Sequence, residues 1–277
     1  MTFDQVSAGQ SSNINCSQWD EAYNGKISWK CKQNGNFEKI PKFLCYKKWI
    51  EEIKTEVKNI QYINQTMEYS EIVNNKTKSE ELEFHEEVKL FLDIIEILRM
   101  KFDDFGNETD HKVAINFTKE IIDSCSNLLN QNQAWNSSDS SDSIERENSS
   151  IRIMFQLQYS AFTLGCHVSD PQLLNHHFKT ANIDIESYLS TNQMFNETIK
   201  YQANHSSILI PPNLDVTKDY KCTNKTIAFG GLYNRIGDHV ERNLPSNTRL
   251  NSKIIVFSMT NSTNKFELPK GNMVKVR

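Results

Sequence analysis

The chain has 277 residues, 38% of them hydrophobic and 24% charged, and a formal net charge of -4. That length can bury a real core in about two domains, and the mild acidity, with no basic stripe interleaved with aromatics, speaks against nucleic-acid binding. The longest apolar stretches, LFLDIIEIL and KIIVFSM, are too short and broken to span a bilayer.

Residues 1–47 are turn-rich and hold three of the six cysteines, Cys16, Cys31 and Cys45. Few aliphatic side chains are available there, so a disulfide staple is expected, with Trp19, Trp29 and Phe37 as packing residues. MTFDQVSAGQSSNINC lacks the basic-then-apolar layout of a signal peptide and, taken at face value, would leave the chain in the cytosol.

Residues 48–165 read as a helical bundle. Trp49, Ile53, Val57 and Ile60 share one helical face, as do Val88, Phe91, Leu92, Ile95, Leu98 and Phe102. A third stripe is Phe117, Ile121, Cys125, Leu128 and Leu129, and a fourth runs from Ile151 to Leu164. NSSDSSDSIERENSS, between the last two, reads as a polar loop. The acid pairs Glu51–Glu52, Glu80–Glu81 and Glu86–Glu87 read as solvated helix faces.

Residues 166–277 change period. In IDIESYLS, Ile183, Ile185, Ser187 and Leu189 alternate; SSILIPP carries Ile208 and Ile210; SKIIVFSMT places Ile255, Phe257 and Met259 on one face. Short alternating runs between Asn, Pro and Gly turns predict an antiparallel sandwich, with GGLYNRIG as a turn.

The remaining cysteines are Cys125, Cys166 and Cys222, and no spacing in the chain fits a zinc site. Cys125 and Cys166 stand near helix ends on apolar faces, so a bridge between them is expected, with two separate buried thiols as the alternative. Asn-x-Ser/Thr acceptors occur at Asn15, Asn64, Asn75, Asn107, Asn116, Asn136, Asn148, Asn196, Asn204, Asn224 and Asn261. About 4 or 5 would arise by chance, so the excess argues for passage through the secretory route; an Asn-rich composition is the bland alternative. Asn15 is a weak acceptor beside Cys16, and Asn116 is less certain because Phe117 belongs to a core stripe.

Catalytic chemistry is hard to find. His167, Asp170, His176 and His177 in CHVSDPQLLNHHF could gather on a metal, but adjacent strand histidines diverge, and an exposed loop is the better reading. No GxSxG, HExxH, P-loop or GxGxxG motif occurs. Neither a catalytic nor a metal residue is expected.

The ordered segments carry a resemblance. ISWKC and the later Cys45, then the Trp-led YKKWIEEIKTEVKNI, VKLFLDIIEIL, IIDSCSNLLNQNQAW, YSAFTLG, SSILIPPN and KIIVFSMTNS follow one another as in latrophilin-like adhesion G-protein-coupled receptors. There a hormone-receptor motif module precedes a GAIN domain. The resemblance implies an α+β fold: the stapled module at 1–47, a helical GAIN subdomain A at 48–165, and an incomplete antiparallel β-sandwich like GAIN subdomain B at 166–277. It also implies that Cys16 pairs with Cys45 while Cys31 lacks its partner, which would fall before Met1; Cys222 stays unassigned.

The chain departs from the family where Phe3 stands at a position that tends to be Trp, and it ends at ELPKGNMVKVR without the His-Leu-Thr or His-Leu-Ser of the proteolysis motif. The resemblance therefore implies a non-catalytic ectodomain at the outer face of the plasma membrane, without cofactor. Its partners would be an unidentified extracellular protein or peptide ligand and, in the full receptor, the missing strands and membrane domain. The other function class is a secreted or shed decoy glycoprotein.

Overall fold

The computed structural model describes residues 6–38, 41–105, 110–137, 143–167, 175–190, 198–203, 206–210, 226–241, 254–259 and 275–276. The fold is α+β. Strands β1 (Ser11–Asn15), β2 (Tyr23–Lys30) and β3 (Lys42–Lys47) form an antiparallel sheet in that order, with one turn of 3-10 helix at Cys16–Gln18. Cys16 and Cys45 are disulfide-bonded. In β2, Gly25 has φ +95°, and a Cβ there would strike the Leu44 carbonyl oxygen at 2.0 Å, so only glycine serves.

The helices follow: α1 (Lys48–Lys58), α2 (Ile63–Ser79), α3 (His85–Phe105), α4 (His111–Leu129), α5 (Asn132–Asn136) and α6 (Ser143–His167). Cross-helix polar pairs fix their directions. Lys54 bonds Asp93, and Lys101 bonds the Ile60 carbonyl, so α1 and α3 run the same way. Lys89–Glu145, Arg152–Asp93, Arg99–Gln156 and Thr163–Asp103 set α6 parallel to α3 as well. α2 and α4 run together in the opposite sense, with Asn74 on Glu120 and Gln131 on the Thr77 and Glu80 carbonyls. The bundle is thus α2, α3, α6 and α4 around one core, with α1 laid on the outside of α3. Asp93 bonds both Lys54 of α1 and Arg152 of α6. Burial raises its carboxyl pKa, but these two cations outweigh that and hold it below the usual range.

The apolar stripes expected in α3 and α4 are buried in this core, joined by Ile50, Ile94 and Ile122; Trp49 of the first stripe is only partly buried, and of the stripe in α6 Ile153, Leu157, Phe162 and Leu164 are inside while Phe155 is exposed. α2 has no such stripe. Its inward positions are Thr66, Ser70, Val73 and Thr77. The hydroxyls of Thr66, Ser70 and Thr77 bond the carbonyls of Tyr62, Met67 and Asn74 on their own helix, so small polar residues are buried satisfied and α2 lies close to α4. NSSDSSDSIERENSS is also not a loop throughout. From Ser143 it is the start of α6, with Ser149 and Ser150 buried.

The second half adds β4 (Asn175–Lys179), β5 (Ile183–Ser190), β6 (Ile199–Ala203), β7 (Ser206–Ile210), β8 (Thr226–Tyr233), α7 (Ile236–Glu241), β9 (Ile254–Met259) and β10 (Lys275–Val276). One antiparallel sheet runs β4-β5-β8-β9 and another β10-β7-β6. Ile183 and Ile185 of β5 and Ile227 and Phe229 of β8 pack on the helical core. Ile254 and Val256 of β9 do the same, so the residues of β9 described against that core are the alternates of Ile255, Phe257 and Met259. GGLY is not a turn but the end of β8. Its glycines admit neighbours: a Cβ on Gly230 would meet the Tyr201 ring at 2.5 Å. Tyr201 of β6 also donates its hydroxyl to the Asp184 carbonyl of β5, joining the two sheets.

Gly230→Ala should therefore cost about 1–3 kcal/mol, because a buried ring and backbone must shift to admit one methyl. Thermal melting of the variant beside the parent checks this.

Candidate functional site

A buried polar cluster forms the seam between the stapled module and the bundle. The module has too little apolar surface to close its own core. Around the disulfide stand Tyr23 and Ile27, and the place beside them is filled from the bundle by Phe84. Its ring lies 5.6 Å from Tyr23, 5.8 Å from Phe43 and 5.9 Å from Trp19. Trp19 itself remains 44% exposed, and Trp29 meets Phe37 in a tilted ring contact at 4.9 Å outside that cluster.

Phe84 is held by its neighbours. Tyr23 donates its hydroxyl to Glu83 Oε1 at 2.6 Å. Burial and this carboxylate push the phenol well above its ordinary pKa. Glu87 is fully buried, against the expectation of a solvated face. Its Oε2 accepts the backbone N–H of Glu83 at 2.7 Å and of Phe84 at 3.0 Å, and its Oε1 accepts that of Lys47 at 3.2 Å. Lys47 is the N-cap of α1, and Phe84 directly precedes α3. One carboxylate thus answers orphan donors at the N-termini of two helices. Burial pushes its pKa above the usual range, while the three N–H groups and the Lys47 charge pull the other way. The sequence hid this role because position 84 is Phe, where a recognisable capping box has Ser or Thr.

Beside the seam, on the solvent side, Asn24, Lys48, Glu51, Glu52, Thr55 and Glu56 line a shallow cleft of about 430 Å³. Glu51 Oε2 accepts from Asn24 at 2.9 Å and from the Tyr46 hydroxyl at 3.2 Å. Burial first, then Glu51, raises the Tyr46 phenol. The cleft offers carboxylates and an amide, suited to a cationic or hydrogen-bond-donating side chain.

The other expected sites are scattered. Cys31 is a free thiol, 3% exposed. Cys125 is also free and fully buried, its pKa pushed up to about 12 by burial. Cys166 is disulfide-bonded. The bridge expected between Cys125 and Cys166 is therefore not formed: Cys125 faces the bundle core, where it packs as a small apolar group. Cys222 lies outside the described residues.

Among the acceptors, Asn15, Asn64, Asn75, Asn116, Asn136 and Asn148 are all exposed. Asn116 is exposed despite its core neighbour Phe117, because adjacent helical residues point about 100° apart. Asn107, Asn196, Asn204, Asn224 and Asn261 lie outside the described residues, as does Asp170. His176 and His177 are in strand β4 rather than a loop. His177 bonds Asp184 at 2.7 Å, and burial together with His111 lowers the His176 pKa. His167 ends α6, its ring edge-on to Phe102. Among the described residues, no group of three His, Cys, Asp or Glu side chains is placed to hold a metal, and no helix is long and apolar enough to cross a membrane.

The chain matches no family model, and a search of curated proteins returns no relative.

Two outcomes follow from the seam. Phe84→Ala should cost about 3–5 kcal/mol by emptying the module's core, and Glu87→Ala about 2–4 kcal/mol by orphaning buried N–H groups; urea titration measures both. The raised Glu87 pKa adds stability that is full below the ordinary carboxylate range and is lost as pH rises through the folded value. The stability gap between the parent and Glu87→Gln should therefore narrow from pH 4 towards 7, and a gap that widens would reverse the assigned sign.

Proposed function

We propose that the chain is extracellular receptor material, resembling the hormone-receptor module and GAIN region of a latrophilin-like adhesion G-protein-coupled receptor, and that it acts by binding a partner rather than by catalysis. The observation that supports the reading is a disulfide-held module followed by a helical bundle and seated on it through Phe84, an arrangement compatible with that resemblance. The Cys16–Cys45 bond fits an oxidising compartment, and so do the exposed acceptor asparagines. In this reading the module presents its outer surface, with Trp19 and the adjoining carboxylate-lined cleft, to an extracellular protein or peptide.

Surface biotinylation of intact cells that express the native gene tests it, using an antibody to this chain. The reading expects biotinylated, glycosidase-sensitive material in the membrane fraction. Recovery from the medium alone would favour the secreted decoy. Recovery only from the cytosol, insensitive to glycosidase, would overturn both.

A further inference from the structure

The acceptor sequons on α2, α4 and α6 share one geometry. Asn64, Asn75, Asn116 and Asn148 are exposed. The hydroxyl residue two positions on is buried in every case: Thr66 is 0% exposed, Thr77 1%, Thr118 1% and Ser150 0%. Helical residues two apart point about 200° from each other, so an outward Asn requires an inward hydroxyl. All four are packed inside, three of them hydrogen-bonded there, while the Ser150 hydroxyl is buried with no hydrogen-bond partner among the described residues. Thr66 bonds the Tyr62 carbonyl at 3.5 Å. Thr77 bonds the Asn74 carbonyl at 3.0 Å and accepts from Asn127 of α4 at 3.4 Å. Thr118 reaches across to the Ser160 carbonyl of α6 at 3.4 Å.

Glycan transfer needs both halves of the sequon. The Asn carboxamide nitrogen forms a bond to the anomeric carbon of a lipid-pyrophosphate-linked oligosaccharide. The bond from that carbon to the pyrophosphate oxygen breaks, the lipid pyrophosphate leaves with the electron pair, and the nitrogen gives up a proton. The acceptor is chosen by the hydroxyl two residues on, and in the closed bundle only the Asn can be reached.

We propose that Asn64, Asn75, Asn116 and Asn148 carry N-linked oligosaccharides, attached before α2, α4 and α6 pack. Folding then buries the recognition hydroxyls and leaves the glycans on the outer faces of the bundle. Each of these sequons serves twice, first as an acceptor signal and then as a buried contact. Asn116 is the sharpest case, since Phe117 and Thr118 beside it are both core residues. The proposal rests on the extracellular reading given above. Asn15 is the internal contrast, because Ser17 is exposed in the folded module.

The test has two arms. The full chain, fused behind a cleavable signal peptide, is secreted from eukaryotic cells, treated with peptide-N-glycosidase in ¹⁸O water, and mapped by mass spectrometry. ¹⁸O-labelled Asp is expected at 64, 75, 116 and 148. A secreted chain unmodified at every acceptor would overturn the extracellular reading together with this proposal. Label at Asn136 with none at the four helical positions would overturn this proposal alone. In the second arm, glycan-free chain is offered to purified oligosaccharyltransferase and lipid-linked oligosaccharide, either folded or unfolded in urea and then diluted. Transfer to the four positions is expected to be at least 10-fold greater from the unfolded chain, and equal transfer to the folded chain would overturn the proposed order. The occupancy arm stands whether or not the glycan-free chain refolds.

Discussion

A carboxylate sealed from water must have its lone pairs answered, and Glu87 meets that need only when three backbone N–H groups converge on it. They come from Lys47 at the end of β3 and from Glu83 and Phe84 before α3. The stapled sheet, the start of α1 and the start of α3 therefore have to arrive together. Phe84 makes the same demand from the apolar side, since the disulfide core of the module closes only when the bundle supplies that ring. The Lys47 ammonium on the Glu81 carbonyl and Lys42 on Glu145 bind the same seam at its wetter margin. Exposed pairs such as Lys42–Glu145 contribute little beside the buried carboxylate. The disulfide closes a loop spanning 29 residues, a restraint on the unfolded chain of about 3–4 kcal/mol, but it does not by itself fill the core it crosses.

The strand half is tied to the bundle by close approach. Gly165 in α6 leaves room for Ile227 of β8, whose side chain a Cβ there would meet at 2.7 Å. Trp135 is fully buried beneath α7, with the His239 ring stacked 4.0 Å from it and His85 of α3 edge-on at 5.1 Å. Its indole N–H donates to the Leu128 carbonyl near the end of α4. The helices and the β4-β5-β8-β9 sheet thus share one continuous hydrophobic core, from Ile50 in α1 to Ile236 in α7, and the stapled sheet keeps a separate cluster closed by Phe84.

How much of this was legible in the sequence depended on what fills the buried positions. α3 and α4 announce themselves because Phe91, Leu98, Ile121 and Leu128 recur at helical spacing. α2 does not, because Thr66, Ser70 and Thr77 occupy the inward positions and their hydroxyls are satisfied within the helix. A hydropathy pattern cannot register a buried face made of small polar residues. The early turns of α6 were lost to a serine-rich composition for the same reason, although Ser149 and Ser150 lie inside. Glu87 looked like one more surface acid, since charge alone does not reveal three converging N–H groups. Gly230 and Gly231 looked like a turn, whereas they sit in β8 where Tyr201, Phe229 and Tyr233 crowd the backbone. Positions near helix ends make Cys125 and Cys166 look like partners, and only the packing shows Cys125 turned into the core. The candidate site fared worse than the fold, because the cleft and the seam are made by residues from segments far apart in sequence.

Backbone amide hydrogen exchange at Lys47, Glu83 and Phe84 tests most directly the claim that one buried carboxylate joins module and bundle. If Glu87 holds all three donors as described, these amides should exchange only with global unfolding, at rates matching the central residues of α3. Exchange at the rate of exposed loop amides, with α3 still protected, would contradict the claim and leave the module as a separately mobile appendage.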